Sequence, residues 1–305
     1  VPLPQKTGVT GFSDTMAPGD FSALSQSGAV AFRVTFDELN GKRHMPDRQD
    51  WYWRGLILDD FDGRNWKYDQ HSYFNMASRS RGAKQPPDSW GLQRANDSPA
   101  YNYKVLMEPH QQQWLFTLMA PVSADASASR VSFAPNYLLK SRKPVASRTQ
   151  YHVASVMDYL AAPGGLTPQE FTHNTALPKG SNPRAHALAQ EWRKNGLSIE
   201  AIVNRALGDF AESFTYTLRP PPLGTHSVDE FLFVTRKGFC EHFASSFVVL
   251  MRAAGIPARV VVGYQGGEWN PIENYVIVRQ SDAHAWAEVW MPQRGWLRVD
   301  PTAAV

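Results

Sequence analysis

Cysteine is nearly absent from this chain: Cys240 is the only one in 305 residues. No internal disulfide can form, and no second thiol is available for a zinc site built on paired cysteines. Charge of one sign is equally scarce. The net charge is +3 and no run of five Lys or Arg occurs, which argues against a nucleic-acid-binding protein. Long apolar runs are missing too. The best, over 243–251, is cut by Arg252, and Val1 opens no basic-then-apolar signal segment, so these residues read as soluble. What is present is core-forming material. Hydrophobic residues make up 43% and charged residues 19%, with ten tryptophans, enough for two packed domains and too much for a disordered chain.

The first half reads as β. In "AVAFRVTFDE", Val30, Phe32, Val34 and Phe36 alternate with Arg33, Thr35 and Asp37, the period of a half-buried strand. "WYWRGLILDDFDGRNWKY" reads as two strands joined by a turn at Asp62-Gly63. Further strands are expected over 101–107, 113–118, 131–133 and 149–157, with a polar, exposed loop over 78–99. Short strands with turn signals and almost no helical period predict an N-terminal all-β, sandwich-like domain over 1–165. A linker follows over 166–182, and then the period changes.

From 183 to 305 the pattern is α+β. Asn182-Pro183 starts a helix with Ala185, Leu188, Ala189 and Trp192 inward, ended by Gly196. Ser198 caps a second helix, with Ile199, Ile202, Val203, Ala206, Phe210 and Phe214 inward. A third, over 239–253, is apolar around most of its girth and should be the central buried helix, stopped by Gly255 and Pro257. Strands are expected over 258–264, 275–278, 285–290 and 296–300, forming an antiparallel meander.

Cys240 stands at the start of that buried helix, where unpaired backbone N–H groups and the helix dipole favour a thiolate. Gly238 would keep the approach to it open. A small buried core cysteine is the competing reading. Downstream, "SDAHAWAEVWMPQRGWLRVDPTA" carries two strands joined by "MPQRG". If Trp290 faces Trp296, Glu288 faces Arg298 as an opposite-charge pair, and His284 lies diagonal to Asp300 on one face, at about 7–8 Å between backbones. A one-residue slip would put His284 and Asp300 on opposite faces. In the favourable register the chain supplies Cys, His and Asp as nucleophile, base and orienting carboxylate.

"RKGFCEHFASSFVVLMRAAGIPARVVVGY", "DAHAWAEVW" and "GWLRVDPT" resemble the three core motifs of the transglutaminase-like superfamily, over roughly 185–305. The resemblance implies a papain-like core with Cys240 as nucleophile, His284 as base and Asp300 as the orienting carboxylate. It also implies a side-chain oxyanion donor upstream, for which Tyr216 is the candidate against the alternative of a core tyrosine. Trp286, on the face of His284, is the candidate cleft wall or a packing residue. The N-terminal stretches "GFSDTMAPGDFSALSQSGAVAFRVTF" and "YWRGLILDDFDGRNW" are similar to the extracytoplasmic segment of bacterial membrane-anchored transglutaminases. That implies a periplasmic segment whose membrane spans lie outside these residues.

The implied reaction is transfer of a glutamine acyl group to a primary amine, with a protein glutamine donor and an amine acceptor as partners, no nucleic acid and no cofactor. The same triad would serve a cysteine protease or amidase acting on peptide or peptidoglycan amides, and a non-catalytic binding module is a third reading. His242, two residues along the helix from Cys240, should point away from it. Asp60, Asp62 and Gly63 faintly resemble a calcium loop but lack its downstream ligands, and a hairpin turn explains them better; no metal site is expected. The N-terminal domain is expected to contribute no catalytic atom. Glu268, Trp269 and Tyr275 are placed on loops that could control water access to the cleft.

Overall fold

A computed structural model describes residues 13–69, 85–95, 97–126 and 131–305. The first residues of the polar loop expected over 78–99 and the start of the N-terminal motif lie outside them. Two sheets and a group of helices make up the body, and the sheets do not follow the order of the chain.

The larger sheet has seven strands, in the order Thr117–Leu118, Tyr52–Leu58, Ala258–Gln265, Ala283–Met291, Gly295–Val299, Tyr159–Ala161 and Leu92–Arg94. The second has six: Pro121–Asp125, Thr149–Val156, Ala100–Met107, Val30–Phe36, Tyr275–Arg279 and Glu268–Asn270. Both therefore contain strands from before residue 165 and from after residue 183. The expected sandwich is present, but its two layers are shared by the N-terminal and C-terminal segments. Phe32 of the second sheet meets Trp53, Phe116 and Tyr264 around the larger one, at ring separations of 5.7, 5.6 and 5.3 Å.

The expected meander is correspondingly corrected. Strand Ala258–Gln265 pairs directly with Ala283–Met291, whereas Tyr275–Arg279 crosses to the second sheet and pairs with Val30–Phe36. Glu268 and Trp269 lie in strand Glu268–Asn270, not in a loop, and Tyr275 pairs with Asn270. The loop expected over 78–99 contains, among its described residues, a short 3-10 turn at Asp88–Trp90 and strand Leu92–Arg94.

Strand Tyr52–Leu58 is buried along its whole length; its Trp53 meets Phe32 of the second sheet and its Tyr52 reaches Asp300. Its pairing with Ala258–Gln265 skips Gly55, a bulge that breaks strict alternation, and a side chain at Gly55 would run into the Phe116 ring. The hairpin at Asp62-Gly63 forms as expected. The Asp62 carboxylate accepts from the Arg64 and Asn65 backbone N–H groups and the Asn65 side chain, so the turn itself consumes it.

Helices Pro183–Lys194, Ile199–Ser213 and Cys240–Ala253 match the three expected. Ser198 caps the second through the Ala201 N–H. Asn182 does not cap the first. It is fully buried and accepts from the Val228 and Asp229 N–H groups, while the Asp229 carboxylate, from another element, takes the Arg184 and Ala185 N–H groups. Within the sequence-defined linker, Pro168–Thr175 is helical, with a Thr167–Glu170 capping box. Helix Cys240–Ala253 is buried on nearly every side, enclosed by the larger sheet and the other helices. Among the described residues no helix is long and apolar enough to cross a membrane.

Candidate active site

Cys240 begins the buried helix and is 3% exposed. The strand before it, Lys237–Gly238, pairs in parallel with Thr215–Tyr216, and the Thr217 N–H donates to the Gly238 carbonyl. The need for glycine at 238 differs from the sequence expectation. A Cβ there would stand 2.6 Å from the His242 side chain and 2.9 Å from Phe231, so Gly238 lets the strand lie against the helix start.

His284 comes from strand Ala283–Met291 and Asp300 from just past strand Gly295–Val299. The register is the one that joins them: Trp290 faces Trp296 and Glu288 faces Arg298. His284 Nε2 lies 2.7 Å from Asp300 Oδ2, and the Cys240 thiol is close enough to act on the ring's charge. The expected Glu288–Arg298 ion pair does not form, although the two residues are opposite. Glu288 is buried and held by Arg54 and Arg259, at 3.0 and 2.8 Å, whereas Arg298 reaches Asp50 at 3.5 Å.

The electrostatics of the pair run against burial. Burial would push the His284 ring down, but the hydrogen bond and charge of Asp300, helped by Cys240, raise it from 6.5 to about 10. Burial would likewise raise Asp300. The facing imidazolium and hydrogen bonds from His284, Thr302 and Tyr52 lower it to about 2. The imidazolium and carboxylate each hold the other charged.

Tyr216 is 44% exposed, so it is not the core tyrosine of the alternative reading. Its ring stacks on Phe243 at 6.3 Å, and its phenol lies near Cys240. Partial burial and the neighbouring Cys240 push its phenol up to about 12, so it stays a donor at neutral pH. Trp286 is buried behind the imidazole, stacked on His284 at 6.1 Å and edge-on to Tyr52 at 5.2 Å. It is a backing wall to the imidazole, not a face of an open cleft. His242 is turned away, packed on Phe231 and Phe239, and burial lowers it to about 4, leaving it neutral.

Two neighbours were not visible in the sequence. Tyr52, from the N-terminal segment, donates its hydroxyl to Asp300 Oδ2 at 2.7 Å. The first segment thus reaches the Asp300 carboxylate, while among the described residues none of its side chains hydrogen-bonds to Cys240 or His284, so the expectation that it contributes no catalytic atom is not overturned. The one available signal was the alternation in "WYWRG", which places Tyr52 and Arg54 on one face. Glu241 is the other. It is 2% exposed and accepts from the Gly19 and Phe21 N–H groups, tying residues 19–21 to the helix that carries the thiol. Among the described residues, no cluster of three or more His, Cys, Asp or Glu is arranged to hold a metal ion.

A buried helix led by cysteine, packed on an antiparallel sheet that carries histidine and aspartate in contact, is the frame of a transglutaminase-like core. Residues 185–301 match the transglutaminase-like superfamily, and residues 1–162 match the family described as the TgpA N-terminal domain. The chain belongs to the TgpA family. It is 42% identical over 306 residues to a protein-glutamine gamma-glutamyltransferase of Pseudomonas aeruginosa, covering all of this chain and 42% of that protein. It therefore spans less than half the length of that relative. It superposes on the crystal structure of the periplasmic domain of TgpA from Pseudomonas aeruginosa with a TM-score of 0.85 at 42% identity, covering 97% of this chain and 95% of that one. An uncharacterised Bacillus subtilis protein, YebA, is 40% identical over 134 residues, covering 42% of this chain and 18% of that protein.

Proposed function

We propose that this chain is the catalytic segment of a periplasmic protein-glutamine gamma-glutamyltransferase, with Cys240 as nucleophile, His284 as general acid and base, and Asp300 as the carboxylate that orients and charges the imidazole. The observation that carries the reading is His284 Nε2 at 2.7 Å from Asp300 Oδ2, with the Cys240 thiol at the start of the buried helix close enough to act on the ring's charge. The full-length match to a protein of that activity supports the substrate class, a glutamine donor and a primary amine acceptor. The name of the matched crystal structure supports the compartment. Residues 1–165 and 183–305 are proposed as the two units of the chain, with 166–182 between them, and they act together because their strands share both sheets.

In this mechanism the Cys240 sulfur attacks the γ-carboxamide carbon and the C–O π pair moves to oxygen. Collapse expels the nitrogen, which takes a proton from the His284 imidazolium and leaves as ammonia, and a thioester remains. A primary amine then attacks the thioester, His284 accepts its proton, and the sulfur leaves as thiolate, giving an isopeptide bond. The developing oxyanion needs donors. The Cys240 N–H at the helix start and the nearby Tyr216 hydroxyl are the two candidates. A substrate carbonyl oxygen entering between them would accept from both. Asp300 holds the ring in the tautomer that faces sulfur and stabilises its charged form.

The test is incorporation of a fluorescent primary amine into casein. The 305-residue protein should label casein, and Cys240→Ala should abolish labelling while the melting temperature stays within a few degrees, since alanine is the better helix former. Casein cleavage without amine incorporation would replace transfer by amide hydrolysis with the same three residues. Labelling that survives Cys240→Ala removes the reading.

A further inference from the structure

Asp300 has four hydrogen bonds among the described residues, two at each carboxylate oxygen, but the two oxygens are held from different distances along the chain. Oδ1 takes the Thr302 N–H at 3.0 Å and the Thr302 hydroxyl at 2.7 Å. Thr302 lies only two residues along the chain, so these bonds fix the near oxygen. Oδ2, the oxygen that meets His284, has one other partner: the Tyr52 hydroxyl at 2.7 Å, from a strand 248 residues away. Without it, Oδ2 would have the imidazole alone to hold its orientation.

We propose that Tyr52 is a positioning residue, which fixes the Asp300 carboxylate and through it the His284 ring, so that the N-terminal segment completes the active site. The proposal rests on the catalytic reading of Cys240, His284 and Asp300 given above.

The direction of the bond is set by the phenol's other neighbour. Gln265 Nε2 donates to the Tyr52 oxygen at 2.9 Å, which leaves the phenol proton for Asp300. Burial and the adjacent Asp300 charge raise the phenol far above its ordinary value, so it remains a donor wherever the enzyme is folded. The ring is gripped as well. The Arg298 guanidinium lies 3.9 Å over it, Trp286 meets it edge-on, and Asp50 holds Arg298 from the far side. These contacts come from both segments, and the strand that carries Tyr52 is hydrogen-bonded to Ala258–Gln265 at the pair Tyr52–Gln265. The geometry gives a physical reason for the shared sheet: it delivers a donor that the C-terminal core does not supply to that oxygen.

The experiment compares the 305-residue protein with Tyr52→Phe, Asp300→Asn, the double variant and Cys240→Ala, measuring kcat and KM for amine transfer to casein. Tyr52→Phe removes only the hydroxyl and should lower kcat by about 5- to 50-fold, as loss of a hydrogen bond to a charged group does. KM should stay within about twofold, because substrate contacts are untouched. The double variant should be no slower than Asp300→Asn by more than about twofold, since the hydroxyl acts only through that carboxylate. Should Tyr52→Phe fail to fold, Gln265→Met keeps the ring and removes the partner that directs its proton; a loss of about 2- to 10-fold in kcat at constant KM is then expected. Wild-type kcat in the folded variants, losses that multiply in the double variant, or a change confined to KM would overturn the proposal. With Cys240→Ala dead and Asp300→Asn slow, such results overturn the role of Tyr52 alone. An active Cys240→Ala overturns the catalytic reading first.

Discussion

Replacing Asp300 by Asn removes a charge and leaves the shape. Its size follows from the His284 ring, which Asp300 and Cys240 lift from 6.5 to about 10 against the opposing pull of burial. At about 1.36 kcal/mol per unit, the lift corresponds to roughly 5 kcal/mol in favour of the imidazolium. An amide cannot supply that, and burial is then uncompensated, so the ring in the variant loses its proton below its ordinary range. Only part of this free energy reaches the transition state, because sulfur needs less help from a base than a hydroxyl does. The expected loss in amine transfer is about 10- to 10³-fold, or roughly 1.4–4 kcal/mol. Stability should change in a defined window. The raised histidine contributes fully below pH 6.5 and its contribution is lost as pH rises through about 10; the lowered aspartate contributes above pH 3.8 and its contribution is lost as pH falls through about 2. The variant is therefore weakened most between about pH 4 and 6.5, and rates belong to protein shown to be folded. The assay is paired: amine transfer, and the pH dependence of Cys240 alkylation by iodoacetamide, which should slow near neutrality in the variant. A full transfer rate with an unchanged alkylation profile would refute the coupling between Asp300 and the thiol.

Glu241 is raised from 4.5 to about 8, by burial that the Gly19 and Phe21 N–H groups only partly offset. A raised carboxyl contributes stability that is complete below pH 4.5 and is lost as pH rises through about 8, so Glu241→Gln, whose amide oxygen can accept only one of the two N–H groups, should flatten the pH dependence of the urea midpoint over that range; equal slopes for both proteins would count against it. Glu288 is lowered to about 2, because the charges and hydrogen bonds of Arg54 and Arg259 outweigh its burial. Arg54→Met leaves that carboxylate with one cation and should cost about 3–5 kcal/mol in urea unfolding; an unchanged midpoint would show that Arg259 suffices.

The site was more legible than the architecture. The strands 283–291 and 295–299 are joined by a short turn, which sets their register locally, and His284 and Asp300 follow. The buried helix announced itself by apolar residues on nearly every side, with Cys240 at its start. Sequence patterning failed where choice among distant partners decides. Glu288 stands opposite Arg298, yet two buried arginines from other strands hold it, because a buried carboxylate gains more from desolvated cations than from an exposed one. Tyr52 gave no sign of its role: alternation says which face a side chain takes, not what lies across that face.

The sequence by itself determined what depends on neighbours along the chain: three of the helices, most strands, the hairpin at Asp62-Gly63, and a choice of two registers, in one of which His284 meets Asp300. Tertiary structure alone decided which strands share a sheet. Strand Tyr275–Arg279 pairs with Val30–Phe36, and Tyr52–Leu58 with Ala258–Gln265. Backbone N–H and C=O groups are alike at every residue, so a strand's hydrogen bonds carry no address. Its partner is selected by which face must be buried and against what, and that is settled only when the whole core packs.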